Sequence, residues 1–313
     1  MKRIIIMTAI TSLVLAGCRG EEGVKKEETK LPASAEAANV NPAENMNIFT
    51  RDNFPRIDGS TSMIPLGEAM AAVLLGESRE EVSELLNFRK TSESFRRMMY
   101  GDSDILISAP PSDAVIEELE RNDFAYSMEQ FATDALVFIV NENNPVMSLT
   151  PDEIRGIYSG EITNWSQVGG GDVPVTAFQR NRESGSQVAM ESIVMADAPM
   201  SKPPSEYTIG GMSGLIEAVR NFDGSGGAIG YSVYYYVKNM QMADGLKILA
   251  VDGASPDAET ISSGEYPFTL PYYVTIPEGI SEGAPARIMR DWLLGSEGQE
   301  LVFRMNYVPC LKG

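Results

Sequence analysis

From Phe54 onward the sequence alternates short apolar runs of strand length with stretches of helical spacing, and this alternation is its strongest constraint. Ile105 to Ile107, Ala135 to Val140, Val173 to Phe178, Ala228 to Tyr231, Lys247 to Val251 and Tyr272 to Ile276 read as strands. Between them, Ile64 to Leu75, Arg79 to Phe88, Ser94 to Tyr100, Asp113 to Arg121, Pro151 to Tyr158, Ser186 to Met195, Ser213 to Asn221 and Ala286 to Leu294 read as helices. Thr150 stands as an N-cap before Pro151, and Asn141 to Pro145 reads as a turn. A chain of this pattern lays helices over the faces of a sheet, so the expected class is α/β. Its 313 residues suit about two domains, and no internal repeat is visible.

The first residues belong to targeting, not to the fold. Lys2 and Arg3 precede an apolar run from Ile4 to Ala16, too short for a permanent span, which needs roughly 20 apolar residues. The run ends in Leu15, Ala16, Gly17 and Cys18, which looks like a bacterial lipoprotein signal. Residues 1–17 are then a signal peptide, and Cys18 is the lipidated residue of a chain anchored to the cell membrane on its extracytoplasmic side. An ordinary secretory signal with an incidental cysteine is the alternative. Residues 18–47 have no aromatic side chain and carry Glu, Lys, Ala, Pro and Asn clusters, so they read as a disordered tether. With Cys18 lipidated only Cys310 remains, and the mature chain has no intramolecular disulfide.

Charge and composition remove several functions. The chain carries 25 Lys and Arg against 44 Asp and Glu, a formal −19, which disfavours binding to a nucleic-acid backbone. Without Lys2 and Arg3 the count is 23 basic against 44 acidic, a formal −21, which anionic lipid would repel. There is no histidine, so histidine-dependent triads and most zinc hydrolase sites are absent. No Gly-x-Ser-x-Gly elbow is present either, and no catalytic residue, cofactor or metal site is assigned.

Several segments together resemble the phosphate-type periplasmic binding proteins, the substrate-binding subunits of ABC importers. They are Asp58 to Ser62, Thr133 to Asn141 with Asn144 to Val146, Leu149 to Trp165, Arg180 to Gln187, Gly227 to Tyr231, and Gly298 to Pro309. The most specific is Tyr158, Ser159, Gly160, Glu161, Ile162, Thr163, Asn164 and Trp165, and the likeness covers essentially all of residues 54–310. The resemblance implies a type II periplasmic-binding-protein fold: two α/β lobes of mixed sheets with helices on both faces, and a ligand cleft between them. Lobe one is then discontinuous, residues 48–136 plus 233–313, and lobe two is 137–232.

The residues that could hold a ligand cluster before helices. Ser60, Thr61 and Ser62 place hydroxyls and free N–H groups at the positive end of a helix dipole, which by itself reads first as plain N-capping. Ser184, Gly185 and Ser186 repeat the pattern, with Arg180 and Arg182 just upstream. An arginine there offers a bidentate fork to an oxyanion, or is simply solvated. The resemblance makes both segments line the cleft, with Arg180 as the ligand arginine and Arg182 as its substitute. Thr91 and Ser92 are matched to the family's third hydroxyl contact, where a bare N-cap is the alternative. One position departs from the family: phosphate-specific members carry an aspartate after a serine, and here Ala109 follows Ser108. Asp58, Asp134 and Glu183 are the substitute carboxylates. Tyr234, Tyr235 and Tyr236 read as packing at the inter-lobe connection, and Trp165 and Trp292 as core.

The function implied is a monomeric binding protein that captures a small oxyanion, phosphate first, for an ABC permease of the cell membrane. A different ligand on the same fold, or a sensor or adhesin without transport, is the alternative, and a hydrolase is disfavoured.

Overall fold

Ile105, Leu106 and Ile107 are all fully buried, as a strand covered on both faces requires. Burying each of these side chains contributes roughly 1.5–3 kcal/mol. Their side chains alternate. Ile105 and Ile107 join the main core with Leu66, Met70 and Leu74, whereas Leu106 packs with Phe95, Met98, Val115 and Leu119 of two helices, Thr91–Met99 and Asp113–Arg121. The computed structural model describes residues 49–196, 198–222, 226–240 and 245–310. The signal segment 1–17, Cys18 and the tether 18–47 lie outside the described residues.

The strand Ile105–Ser108 pairs in parallel with Ile57–Gly59 and antiparallel with Thr269–Pro277. Thr269–Pro277 in turn pairs antiparallel with the first part of a long strand, Tyr126–Asn141. The second part of that strand pairs antiparallel with Ala228–Val233, which carries Thr176–Ala177 in parallel on its other side. Val308–Pro309 and Leu246–Ile248 add to the first and second parts, completing an eight-stranded mixed sheet with helices around it. The α/β class expected from the alternation is the architecture found. One long strand thus serves two neighbourhoods of the sheet.

A bulge marks the first neighbourhood. Tyr272 lies opposite Ala132 and Tyr273 opposite Gln130, so Phe131 is an extra residue without a partner in the ladder. Such a bulge bends a strand and re-aims the side chains beside it, and Tyr272 is one of these.

Ile64–Leu75 and Asp113–Arg121 have the expected bounds. Pro151–Ser159 starts with a Thr150–Glu153 capping box. Elsewhere the structure differs in detail. Arg79 to Phe88 is a short helix, Arg79–Val82, followed by a 3-10 turn, Ser83–Leu85, because the Ser83 hydroxyl donates to the Glu80 carbonyl at 2.7 Å and competes with the helix ladder. Val173 to Phe178 keeps only Thr176–Ala177 as strand, and Gln179–Arg180 pairs separately with Thr208–Ile209. Ser186 to Met195 becomes an α-helix, Gly185–Ala189, that widens into a π-helix, Met190–Met195. Trp165 and Trp292 are buried, as are Tyr235 and Tyr236, and Tyr235 stacks on Tyr307 with ring centroids 3.8 Å apart.

Candidate functional site

Gly59 ends its strand where nothing larger fits. A β-carbon there would lie 2.0 Å from the Ile107 carbonyl oxygen, and its φ of +154° suits only glycine. This close approach delivers Ser60, Thr61 and Ser62 at the end of the sheet, where Thr61–Met63 forms a single 3-10 turn before the helix Ile64–Leu75. Ser60 is buried. Its hydroxyl accepts from the Ala109 N–H at 3.0 Å and shares a hydrogen bond with the Thr91 hydroxyl at 2.9 Å. Thr91 opens the helix Thr91–Met99, preceded by Lys90 at φ 76°, ψ 161°. That region belongs essentially to glycine, and a lysine held there stores roughly 1–3 kcal/mol of strain.

The loop Glu183–Ser186 comes against these residues. Ser92 donates its hydroxyl proton to the Glu183 carbonyl at 3.0 Å, and Arg96 grips the Glu183 carboxylate at 2.9 and 3.0 Å. That guanidinium holds the Glu183 carboxyl below its ordinary pKa. Gly185 has no room for a side chain, since a β-carbon would sit 2.6 Å from the Thr91 hydroxyl oxygen and 3.6 Å from the Ala109 β-carbon. The Ala109 side chain therefore faces Gly185 across the junction.

Ser184 is spent on its own helix, accepting from the Gln187 N–H at 3.2 Å. Ser186 is buried and accepts from the Arg180 guanidinium at 3.3 Å. Arg180 is also buried, while Arg182 is exposed. The remaining Arg180 side-chain bonds go to the Ile209 carbonyl at 3.1 Å and the Gly210 carbonyl at 3.2 Å. None of these partners is charged, and among the described residues no carboxylate pairs with it. Burial lowers its pKa from the ordinary value, yet a guanidinium remains charged at any physiological pH. Its backbone is fixed too, with its N–H shared between the Tyr231 hydroxyl at 3.0 Å and Gln187 Oε1 at 3.1 Å.

Ser60, Thr91, Gly185, Ser186 and Arg180 thus form one run of contacts, with Ser92 joined through Glu183. Thr61 is half-buried in the turn beside them. Ser62 is buried, and its hydroxyl meets the Tyr272 hydroxyl at 2.7 Å. The Ser62 carbonyl accepts from Tyr307 at 2.6 Å.

The substitute carboxylates are not equivalent. Asp58 is fully engaged: it accepts from the N–H groups of Gly59 and Arg89, both at 2.7 Å, from the Ser94 hydroxyl at 2.6 Å and from Arg97 at 2.9 Å. Glu183 is committed to Arg96. Asp134 is buried with no cation beside it among the described residues; desolvation pushes its carboxyl up to about 7, against N–H bonds from Ala135 and Tyr235 and a bond from the Tyr272 hydroxyl. Tyr272 and Tyr307 carried no signal as site residues in the sequence, because both read as apolar-run or tail aromatics.

Strand ends and helix starts thus gather hydroxyls around the buried Arg180, the sole buried cation among the described residues. The family model of the PBP superfamily domain matches residues 52–293, and the chain belongs to that superfamily. It is 26% identical over 207 residues to the phosphate-binding protein PstS of Borreliella burgdorferi, covering 64% of this chain and 71% of that one. It is 28% identical over 200 residues to PstS of Bacillus subtilis, covering 63% of each. Among solved structures, a Clostridium perfringens protein with bound phosphate, assigned to a phosphate ABC transporter, aligns with a TM-score of 0.62 at 25% identity, covering 82% of this chain and 98% of that one. A phosphate transport receptor from Vibrio cholerae shares the fold at 21% identity, with a TM-score of 0.60 over 80% of this chain and 98% of that one.

Proposed function

We propose that this chain is the substrate-binding protein of an ABC importer and that its ligand is a small tetrahedral oxyanion, inorganic phosphate first. The observation that carries the reading is Arg180: a buried guanidinium whose side-chain bonds, among the described residues, all go to neutral groups, at the foot of Gly185 and Ser186. A buried cation without a counter-charge is unfavourable unless something supplies the charge, and an oxyanion does so with the bidentate geometry a guanidinium favours. Ser60, Thr61, Ser62, Thr91, Ser92, Ser184, Gly185 and Ser186 supply the surrounding hydroxyl and N–H groups. The relatives named for phosphate binding support phosphate over other anions.

In this reading residues 48–136 plus 233–313 form one lobe and residues 137–232 the other, with the change of partners along Tyr126–Asn141 marking one crossing. Closing the lobes brings the Glu183–Ser186 loop onto Thr91 and Ser92 and desolvates the anion among fixed dipoles. Surface charge matters little at that range, because charges beyond about 8 Å are screened at physiological salt. The protein acts as a monomer on the extracytoplasmic side, held by lipid at Cys18, and delivers its ligand to a membrane permease.

The test is calorimetric titration of the purified protein with phosphate, sulfate, molybdate and a panel of amino acids. One saturable phosphate site is the expected result. Binding of an amino acid with no oxyanion binding would overturn the reading.

A further inference from the structure

We propose that Asp134, acting through Tyr272, is a positioning residue that sets whether the Ser62 hydroxyl faces a bound anion as donor or as acceptor, and so sets the preference between protonated and unprotonated tetrahedral oxyanions. The inference rests on the reading of Ser62 as part of an anion site. Its basis is a three-membered relay: Asp134 Oδ2 to the Tyr272 hydroxyl at 3.4 Å, and the Tyr272 hydroxyl to Ser62 Oγ at 2.7 Å. All three side chains are buried.

The proton count gives the relay only two arrangements. Asp134 Oδ1 accepts the N–H groups of Ala135 at 2.8 Å and Tyr235 at 3.1 Å, whereas the Tyr235 N–H lies farther from Oδ2, at 3.4 Å, so a proton on this carboxyl sits on Oδ2, facing Tyr272. When Asp134 is ionised, Tyr272 donates to it, and the Tyr272 oxygen is left to accept from Ser62. The Ser62 hydroxyl is then used up, and its oxygen offers only lone pairs to an anion. A lone pair rewards an anion that keeps a proton, as phosphate does, and repels one that has none, as sulfate does. When Asp134 is protonated, it donates to Tyr272, Tyr272 donates to Ser62, and the Ser62 proton is released toward the anion.

The titratable groups around Asp134 do not compete for this role. Tyr235, Tyr272 and Tyr307 are buried and Tyr234 is half-buried, and burial raises the pKa of each, so all four stay protonated while the carboxyl titrates. Arg79 and Glu68 act on Tyr235, but among the described residues no cation pairs with Asp134. The carboxyl's position near pH 7 places the change within the range a cell surface meets. Tyr272 reaches both partners from beside the Phe131 bulge, so the relay is built by the sheet itself.

The experiment is titration of the full protein with sulfate, whose charge does not change over the range, and with phosphate, at pH 5.5 and 8.5. Sulfate binding is expected to weaken about tenfold or more from pH 5.5 to 8.5, the loss of one charge-assisted donor, while phosphate changes less. Asp134→Asn, whose amide donates to Tyr272 at every pH, should bind sulfate equally at both values. Tyr272→Phe keeps the carboxyl but cuts the relay, and it should also be flat. A pH response that survives in Tyr272→Phe would assign the effect to buried charge alone and overturn the relay. So would a flat wild-type profile, or exclusion of sulfate at both pH values while phosphate binds; in these cases the anion-binding reading stands. Failure of both anions to bind at either pH overturns that reading and this one together.

Discussion

Replacing Arg180 with alanine separates a ligand-binding arginine from a structural strut, because the two roles move different quantities. The wild-type guanidinium makes three side-chain bonds, at 3.1, 3.2 and 3.3 Å, all to neutral groups. Bonds from a charged donor are worth about 1.5–3 kcal/mol each, so losing them costs several kcal/mol in all. Removing a buried cation that lacks a counter-charge returns a desolvation penalty of several kcal/mol. The two nearly offset, so the unliganded variant should melt within about 3 °C of wild type. Binding has no such compensation. A desolvated, charge-assisted pair with the anion is worth about 2–4 kcal/mol, so Arg180→Ala should weaken phosphate binding by about 30- to 1000-fold. Arg182, exposed two positions along, should matter far less when replaced in the same way. Calorimetry gives the affinities and a thermal melt without ligand gives the stability. A large loss of stability with unchanged affinity would make Arg180 a strut. Loss of binding in Arg182→Ala instead would mean the wrong arginine was assigned, and no effect in either would mean the ligand is not an anion.

Ala109→Asp places a carboxylate facing Gly185, where it accepts the proton of phosphate and opposes a protonless anion; competitive titration should show the phosphate-to-sulfate ratio rising by about 30-fold or more. Gly59→Ala drives a β-carbon to 2.0 Å from the Ile107 carbonyl oxygen, and urea unfolding should show a loss of about 3 kcal/mol or more, or no soluble protein. Asp134 holds its proton up to about 7 in the fold against an ordinary 3.8, so the unfolded chain releases that proton first as pH rises. Its contribution to stability therefore falls between about pH 4 and 7 and is flat above, and wild type should lose about 3 kcal/mol relative to Asp134→Asn from pH 5 to pH 8 in paired urea melts.

What the sequence revealed depended on how local each signal was. Ile64–Leu75 and Pro151–Ser159 declare themselves through the small residues from Asp58 to Ser62 and the Thr150 cap before Pro151, all within a few residues. The strand Tyr126–Asn141 was legible only from Ala135 to Val140, where every residue is buried and the run is continuously apolar. Its first part carries exposed Glu129 and Gln130, and the bulge at Phe131 breaks the alternation that would have betrayed it. The π-helix Met190–Met195 has no sequence signature, and Met190, Val194 and Met195 are buried as an ordinary helix would bury them. In the site, hydroxyl residues before helix starts were visible because capping and anion binding use the same residues. The Asp134 relay was not, since Tyr272 lies 138 positions from Asp134 and 210 from Ser62.

Burial then distinguishes what the sequence left open. Three charged side chains are buried among the described residues: Asp58, Asp134 and Arg180. Asp58 has Arg97 at 2.9 Å, as a buried charge in a fold maintained for stability alone would have. Among the described residues Arg180 has no carboxylate partner, and Asp134 has no cation. Pairing them with each other would have offset part of both penalties, yet the fold ties Arg180 to the carbonyls of Ile209 and Gly210 and Asp134 to backbone N–H groups and a tyrosine. Kept apart, each retains what a pair would cancel. On the proposed reading, Arg180 keeps a full charge for an arriving anion, and Asp134 keeps a proton that it gains or loses near neutral pH.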